Sequence, residues 1–286
     1  MNYRHAFHAG NFADVFKHAA LLVLLDGLCA KDKPLCYFES HAGSGSYRLT
    51  APESDKTGEW RDGIGRVFAS SGPPAALQPY LAAVRALNAD GALKICPGSP
   101  WLAAHVLRAQ DELLLCDVLP TSAAALRRLF RDDRRVHVHA RDGYEAMRAL
   151  LPPHARRGLV LIDPPFEVQS DDFKAAADAL LDMHARWPTG VYAVWYPIKS
   201  RHAAAPFHRR LAQGPFDQVL VAELLVHPAD SPLRMNGCGL LIVNPPWHAD
   251  AALATLLPAL RTVLAQSPRA THTLRWLRHG GPAPRR

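Results

Sequence analysis

The sequence predicts an α/β fold in which helices cover both faces of one mostly parallel, seven-stranded sheet. Short apolar runs rich in β-forming residues alternate with helical patterns along most of the 286-residue chain, and this alternation is typical of successive β-α-β units. A hydrophobic content of 49% supplies enough apolar material for one large core. We therefore expect a single domain over residues 1–286.

The first predicted helix precedes all the strands. Asn11 is placed as its N-cap, with Asp14 three residues further on. The opposite side of this helix carries Lys17 and His18. Its apolar face consists of Phe12, Val15, Phe16, Ala19 and Val23.

Seven strands are predicted after this helix, with helical patterns between most of them at 122–130, 172–186 and 201–212. The strands are 35–39, 112–117, 135–139, 158–163, 190–195, 218–226 and 239–243. Only a loop rich in Pro, Asp and Gly separates the last two, so we expect an antiparallel hairpin there. About seventy residues separate the first two strands, far more than a crossover needs, and residues 50–93 are therefore predicted to be a helical insertion subdomain.

Charge and cysteine content restrict the possible classes of protein. The formal net charge is +7, which favours a polyanionic partner such as nucleic acid. Five scattered cysteines without a CxxC pair argue against a zinc site or a disulfide framework and suit the reducing cytosol. The apolar run at 19–28 is interrupted by Asp26 and is too short to cross a bilayer. We expect a cytoplasmic, monomeric protein that uses no metal and does not enter a membrane.

Polar residues at the ends of three predicted strands suggest a nucleoside pocket. "YFESHAGSG" (37–45) places Glu39 before a glycine loop, at the sheet edge where open α/β folds bind nucleotides. A plain tight turn would also require glycines at these positions. Asp117 ends the second strand, where it can accept hydrogen bonds from a ribose, and Asp142 follows the third, near an adenine amino group. Ser99 is interpreted as a helix N-cap close to the same ligand. The best-known cofactor bound in this way without a P-loop is S-adenosyl-L-methionine, which we therefore expect here.

The segment "IDPPF" (162–166) carries the residues best suited to methylate an exocyclic amine. Such a nitrogen is a poor nucleophile because its lone pair is delocalised into the ring. Oxygen atoms of Asp163 and of the Pro164 carbonyl can accept its two hydrogens and turn the lone pair toward a methyl donor. Phe166 offers a face on which a flipped base can stack, worth roughly 1–3 kcal/mol.

A second segment, "NPPW" (244–247), repeats the same residue types. If its strand is antiparallel, Asn244 emerges at the opposite edge of the sheet, far from Asp117, Asp142 and Asp163. We therefore expect a structural role for Asn244, with Trp247 packed against the last helix.

Taken together, these motifs resemble those of a bacterial family, the RlmJ type, which methylates the 6-amino group of one adenine in 23S ribosomal RNA. The similarity includes "YRHAFHAGNFADVFKH" (3–18), "HAGSGSY", "PGSP", "LIDPPF", "WYP" and "NPPW". It implies a Rossmann-like class I methyltransferase fold, Asp163 as the catalytic residue in contact with the cofactor, and Tyr3 in contact with the substrate adenine. The further residues it places on S-adenosyl-L-methionine are Lys17, His18, His41, Ser99, Asp117, Asp142 and Gly143.

Three positions differ from the family's pattern. This chain has Phe166 where relatives carry Tyr, Glu39 where they carry Asp, and Asp117 where they carry Glu. The stacking face and the ribose acceptor are nevertheless retained. Two alternatives stay open at this point: a DNA adenine-N6 methyltransferase, which shares every motif, and a catalytically inactive nucleic-acid-binding module that keeps the fold.

Overall fold

The computed structural model describes residues 5–200, 202–233 and 235–280. In these residues the strands are β1 Cys36–Glu39, β2 Ser46–Arg48, β3 Ile95–Pro97, β4 Glu112–Cys116, β5 Val136–His139, β6 Gly158–Ile162, β7 Val191–Ile198, β8 Gln218–Leu225, β9 Gly237–Val243 and β10 Thr271–His279. The α-helices are α1 Phe12–Cys29, α2 Pro52–Thr57, α3 Ile64–Ala69, α4 Gln78–Leu87, α5 Ser99–Val106, α6 Pro120–Leu129, α7 Gly143–Leu150, α8 Gln169–Arg186, α9 Ala205–Ala212 and α10 Ala249–Leu264.

Eight strands form the main sheet, in the order β10-β8-β9-β7-β6-β1-β4-β5. The strands β5, β4, β1, β6 and β7 are parallel neighbours, so their carboxyl ends lie along one edge. β9 runs antiparallel to both β7 and β8, which confirms the predicted hairpin. β2 and β3 form a separate two-stranded ladder.

The eighth strand corrects the sequence analysis, which did not include β10. Its residues pair antiparallel with β8 along the full length of that strand. Leu274 and Trp276 pack against the hydrophobic core from one face of β10, while Thr273 and Arg275 line a cavity on the other. Only three of the nine residues of β10 are apolar, Leu274, Trp276 and Leu277, which weakens the pattern.

Two hydrophobic layers lie on opposite faces of the sheet. One contains α1, α4, α5 and α10, and the other contains α7, α8 and α9. The segment between β2 and β3 holds the helices α2, α3 and α4, whose buried side chains include Ile64, Val67 and Leu81 and join the layer formed by α1. Within the described ranges, no helix combines the length and apolar character that a membrane crossing requires.

Candidate active site

The candidate site lies at the carboxyl edge of the parallel strands. β6 pairs with β1, and β1 pairs with β4, so the residues that follow these strands are neighbours. Asp163 follows β6, His41 lies in the loop after β1, and Asp117 follows β4. The backbone N–H of Ser40 donates to the Leu161 carbonyl (3.1 Å), which joins the loop after β1 to the end of β6. The sheet topology thus brings together side chains that are far apart in the sequence.

Lys17 of α1 extends into this edge and contacts two carboxylates. Its Nζ donates to Oδ2 of Asp163 at 2.6 Å and lies 3.2 Å from Oδ1 of Asp14. Asn11 positions the helix, because its side chain accepts hydrogen bonds from the backbone N–H groups of Ala13 and Asp14, as an N-cap does. The predicted start of α1 is therefore confirmed, and the helix supplies a charged group to the site.

The environment of Lys17 keeps the side chain protonated. Burial alone would lower the pKa of Lys17, but the charges of Asp163 and Asp14 outweigh it and raise this pKa well above its ordinary value. Burial would likewise raise the pKa of Asp14, yet the neighbouring His5 and Lys17 hold it well below the usual range. Asp14 also accepts a hydrogen bond from the backbone N–H of Gly10 at 2.9 Å.

Glu39, the last residue of β1, is buried next to this ion pair. Its two carboxyl oxygens accept hydrogen bonds from Ser99 Oγ (2.5 Å) and Tyr37 Oη (2.8 Å). Burial raises the pKa of Glu39 to about 7. The predicted N-cap role of Ser99 is wrong: α5 is capped by Gly98 without a side-chain hydrogen bond, because the Ser99 hydroxyl donates to Glu39 instead.

The carboxylate of Asp117 holds the glycine loop. Oδ2 accepts the backbone N–H of Gly43 and Oδ1 accepts that of Leu119, both at 2.8 Å. Burial raises the pKa of Asp117 above its ordinary value. Gly43 and Gly45 have φ angles of +61° and +77°, which other residues rarely adopt. The glycines of this loop therefore form the tight turn that the sequence also allowed, and this turn lies at the carboxyl edge of the sheet.

Asp142 and Gly143 begin α7 directly against the loop after β1. Asp142 is the N-cap, and its Oδ1 accepts hydrogen bonds from the backbone N–H groups of Tyr144 and Glu145, both at 2.9 Å. A Cβ atom on Gly143 would lie 2.0 Å from the Ser40 carbonyl oxygen, so only glycine fits there. Close packing at this point places Asp142 at the same edge as Asp117.

Two histidines of the site are neutral. His41 shares a 2.8 Å hydrogen bond between its Nδ1 and the Ser40 hydroxyl, and burial lowers its pKa. His18 is 1% exposed, and burial lowers its pKa to about 3. Neither ring nitrogen of His18 has a hydrogen-bond partner among the described residues. Unpaired buried polar atoms are rare and indicate a missing partner such as a ligand or water.

These features fit S-adenosyl-L-methionine. The loop containing Gly43 and Gly45 offers backbone close to the sheet edge, and the carboxylates of Asp117 and Asp142 lie at the same edge; their contacts with a ribose and an adenine amino group stay a prediction. His18 adds polar ring atoms without partners in the described structure. No group of three or more His, Cys, Asp or Glu within residues 5–200, 202–233 and 235–280 is arranged to hold a metal ion.

The aromatic residues beside Asp163 are packed inward. Phe166 is 4% exposed and has a φ of +49°, with its ring edge-on to those of Phe173 (5.1 Å) and Trp195 (5.8 Å). Tyr196 is fully buried and fills the core instead of lining a pocket. Stacking of a base on Phe166 remains a prediction, and it requires the loop at 164–168 to move.

The second motif lies at the other edge of the sheet, as predicted from the antiparallel direction of β9. The Asn244 side chain donates to the carbonyls of Pro188 (2.8 Å) and Gly190 (2.9 Å), which closes a turn before β7. Asn244 therefore has the expected structural role. The prediction that Trp247 packs against the last helix is wrong, because its side chain is 82% exposed.

Sequence analysis missed two residues of the site. Asp14 was interpreted as part of a helix start, although it also contacts Lys17 and pairs with His5 at 3.0 Å. Asp14 and Lys17 are three residues apart on the same helix, and this spacing could have predicted their contact. Tyr144 packs edge-on against His41 with ring centres 5.4 Å apart, and no local pattern indicated this contact. Tyr3, predicted to contact the substrate, lies outside the described residues.

Comparisons with known proteins agree with this geometry. The family model described as Ribosomal RNA large subunit methyltransferase D, RlmJ, matches residues 32–278. The chain is 38% identical to Ribosomal RNA large subunit methyltransferase J of Haemophilus influenzae and 37% identical to that of Escherichia coli, in both cases over 97% of this chain and 99% of the relative. A crystal structure of a Legionella pneumophila protein aligns with a TM-score of 0.86 at 34% identity, covering 94% of this chain and 98% of that one. The fold is thus the expected Rossmann-like class I methyltransferase fold, and the chain belongs to the RlmJ family of ribosomal RNA large subunit methyltransferases.

Proposed function

We propose that this protein methylates the 6-amino group of one adenine in 23S ribosomal RNA, with S-adenosyl-L-methionine as the methyl donor. The observation that carries the proposal is the position of Asp163, which heads the Asp-Pro-Pro-Phe segment at the same sheet edge as the nucleoside pocket. Family membership supports ribosomal RNA as the substrate, since the relatives are named for it.

The residues of the chain orient the amine. S-adenosyl-L-methionine supplies an electrophilic methyl group. Lys17 occupies Oδ2 of Asp163, so Oδ1 is the oxygen that accepts an N–H of the adenine amine. The Pro164 carbonyl accepts the second N–H, as nothing in the described residues donates a hydrogen bond to it. Two acceptors in fixed positions turn the nitrogen lone pair toward the methyl group.

The buried ammonium of Lys17 has a supporting role in this arrangement. Because its pKa is raised, it keeps its proton and balances the charge of Asp163 in a site from which water is largely excluded. It is therefore a positioning group and does not act as a base. We place Lys17, His18, His41, Ser99, Asp117, Asp142, Gly143 and Asp163 on the cofactor, and Tyr3, Pro164 and Phe166 on the substrate base.

The net charge of +7 suits an RNA partner. We propose that the protein acts as a monomer, without a metal, in the cytoplasm, where ribosomal subunits assemble. The helices between β2 and β3 form the insertion subdomain over residues 50–93 and shape one wall of the substrate groove.

Two assays test the proposed function. Mass mapping of 23S ribosomal RNA from cells with and without the gene should show one N6-methyladenine that depends on the gene. With purified protein, labelled methyl groups should enter a 23S transcript and not duplex DNA, and Asp163→Asn should abolish incorporation while cofactor binding persists. Methylation of DNA alone would favour the DNA methyltransferase. Failure of S-adenosyl-L-methionine to raise the melting temperature would favour the inactive binding module.

A further inference from the structure

A cavity of about 620 Å³ opens beside α9 and β10, away from the nucleoside pocket. Residues 228–230, in the loop that follows β8, form another wall. The cavity lining combines apolar residues with polar and charged ones, which include Ser200, Arg209, Glu223, Asp230, Arg269, Thr271 and Arg275. None of these residues belongs to the site described above.

A directed chain of hydrogen bonds connects three residues of the cavity lining, Arg275, His208 and Glu223, through the buried Tyr196. Arg275 donates from Nη2 to Nδ1 of His208 (2.9 Å), and Nε2 of His208 donates to the Tyr196 hydroxyl oxygen (2.9 Å). The Tyr196 hydroxyl in turn donates to Oε1 of Glu223 at 2.8 Å. A guanidinium can only donate, so the direction of every bond in the chain is fixed.

The hydrogen bond to His208 holds the guanidinium of Arg275 in place without neutralising its positive charge. Burial, together with the charge of Arg275, lowers the pKa of His208 to about 4, so the imidazole is uncharged at neutral pH. The guanidinium is therefore fixed by a neutral ring, and its remaining N–H groups are available to a ligand in the cavity. An anchored guanidinium loses less conformational freedom when it binds an anion.

Two further arginines stand on the walls without acidic partners in the described part of the chain. Arg209 on α9 and Arg269 before β10 are exposed, and neither forms an ion pair with any described residue. Neighbouring arginines outside the cavity do form such pairs: Arg210 with Asp178, and Arg148 with Asp182. The arginines of the cavity are thus better placed than these to bind an external anion.

The cavity lies on the same sheet edge as Asp163. Ile162 of β6 pairs with Val194 of β7, so Asp163 is level with Trp195. Ile198, which lines the cavity, lies three residues further along β7 than Trp195. At about 3.3 Å per residue, this is a distance of about 10 Å along the strand. The nucleoside pocket lies in the other direction, over β1, β4 and β5. A strand of RNA with its base at Asp163 can therefore extend its backbone into this cavity.

We infer that this cavity binds backbone phosphates of the RNA next to the target adenine. The identification of the ligand as RNA rests on the proposed function. The inference that the cavity binds phosphate groups rests on its arginines. Planar guanidinium groups match phosphate oxygens in pairs of hydrogen bonds, and the hydroxyls of Thr271 and Thr273 add weaker donors. Asp230 at the rim repels phosphate and bounds the site on that side.

Filter binding of a 23S transcript at several salt concentrations tests the assignment. The double variant Arg209→Gln, Arg269→Gln should bind roughly tenfold more weakly, since each missing bond involves a charged group. The slope of log affinity against log salt should become shallower by about 1 for each phosphate that the variant no longer neutralises. Asp230→Asn should bind more tightly than the wild type. Affinity for S-adenosyl-L-methionine should not change in any of these variants.

The matched control is Arg148→Gln, Arg210→Gln, which removes the same charge from arginines that are already paired outside the cavity. It should leave both affinity and slope close to those of the wild type. Wild-type binding by the cavity variant, or an equal loss in the control, overturns the phosphate site. Because the readout is binding, the two proposals fail separately: a wild type that binds RNA through the cavity yet methylates none refutes only the proposed function.

Discussion

The Nζ atom of Lys17 lies 2.6 Å from Oδ2 of Asp163 and joins α1 to the loop after β6 across 146 residues of sequence. The same ammonium lies 3.2 Å from Asp14, and Glu39 is close enough to raise its pKa further. One buried positive charge thus balances a group of carboxylates from three separate segments. The first helix is therefore part of the site as well as part of the core.

Replacing Lys17 with methionine should destabilise the fold strongly. The change leaves Asp14 and Asp163 buried without their shared partner, and breaking a buried ion pair costs about 3–5 kcal/mol. Urea unfolding at pH 7 measures the loss. Lys94→Met is the control, because Lys94 pairs with Asp90 at the surface, where such pairs add little. If both variants unfold at the same urea concentration, the buried pair does not stabilise the fold.

Glu39→Gln should make stability less dependent on pH. Burial raises the pKa of Glu39 from 4.5 to about 7, so the folded state holds a proton that the unfolded state releases between these values. The contribution of Glu39 is therefore most favourable below about pH 4.5 and is lost as the pH rises through 7. Glutamine mimics the protonated form.

Melting temperatures from pH 5 to pH 9 test this sign. The Glu39→Gln variant should melt at the same temperature as the wild type near pH 5 and at a higher temperature above pH 7. For a pKa shift of this size, the difference in unfolding free energy at high pH is about 3 kcal/mol. Glu145→Gln, at an exposed position, should show no such trend. A difference that stays constant across the whole pH range would show that Glu39 remains ionised in the folded protein.

Asp117→Asn should weaken binding of S-adenosyl-L-methionine. An amide has one acceptor oxygen, so the backbone N–H of either Gly43 or Leu119 would face an NH2 group, at a cost of about 1–3 kcal/mol. Titration calorimetry should show at least roughly tenfold lower affinity, with transcript binding unchanged. Asp117→Glu retains both acceptors and should recover most of the affinity. Equal affinity in all three proteins would show that the glycine loop does not need this anchor.

The positions and directions of seven strands were largely predictable, because each buried parallel strand is a short, continuous apolar run. β10 was missed for a physical reason. Thr273 and Arg275 line the cavity while Leu274 and Trp276 pack against the core, and only three of the nine residues of the strand are apolar. A Gly- and Pro-rich segment follows immediately in the sequence, and such a composition does not favour a strand.

The site was predictable where a residue ends a strand, as Asp163 and Asp117 do. Contacts between distant segments were not. Ser99 is correctly positioned for an N-cap by local sequence, yet its hydroxyl donates to Glu39, 60 residues away. The burial of Phe166 could not be predicted from the local sequence either, because it depends on ring contacts with Phe173 and Trp195, which belong to other elements.

The two similar motifs should respond in opposite ways to mutation. Asn244→Ala removes the hydrogen bonds to the carbonyls of Pro188 and Gly190 and places alanine at a φ of +52°, which asparagine tolerates better. We expect a loss of about 1–3 kcal/mol in unfolding free energy and an unchanged turnover number on a 23S transcript. Trp247→Ala, at an exposed ring, should alter neither. Asp163→Asn should abolish turnover, while the protein still folds because Asp14 remains as a charged partner for Lys17. A stable Asn244→Ala protein with greatly reduced turnover would mean that the second motif, at the far edge of the sheet, takes part in the reaction.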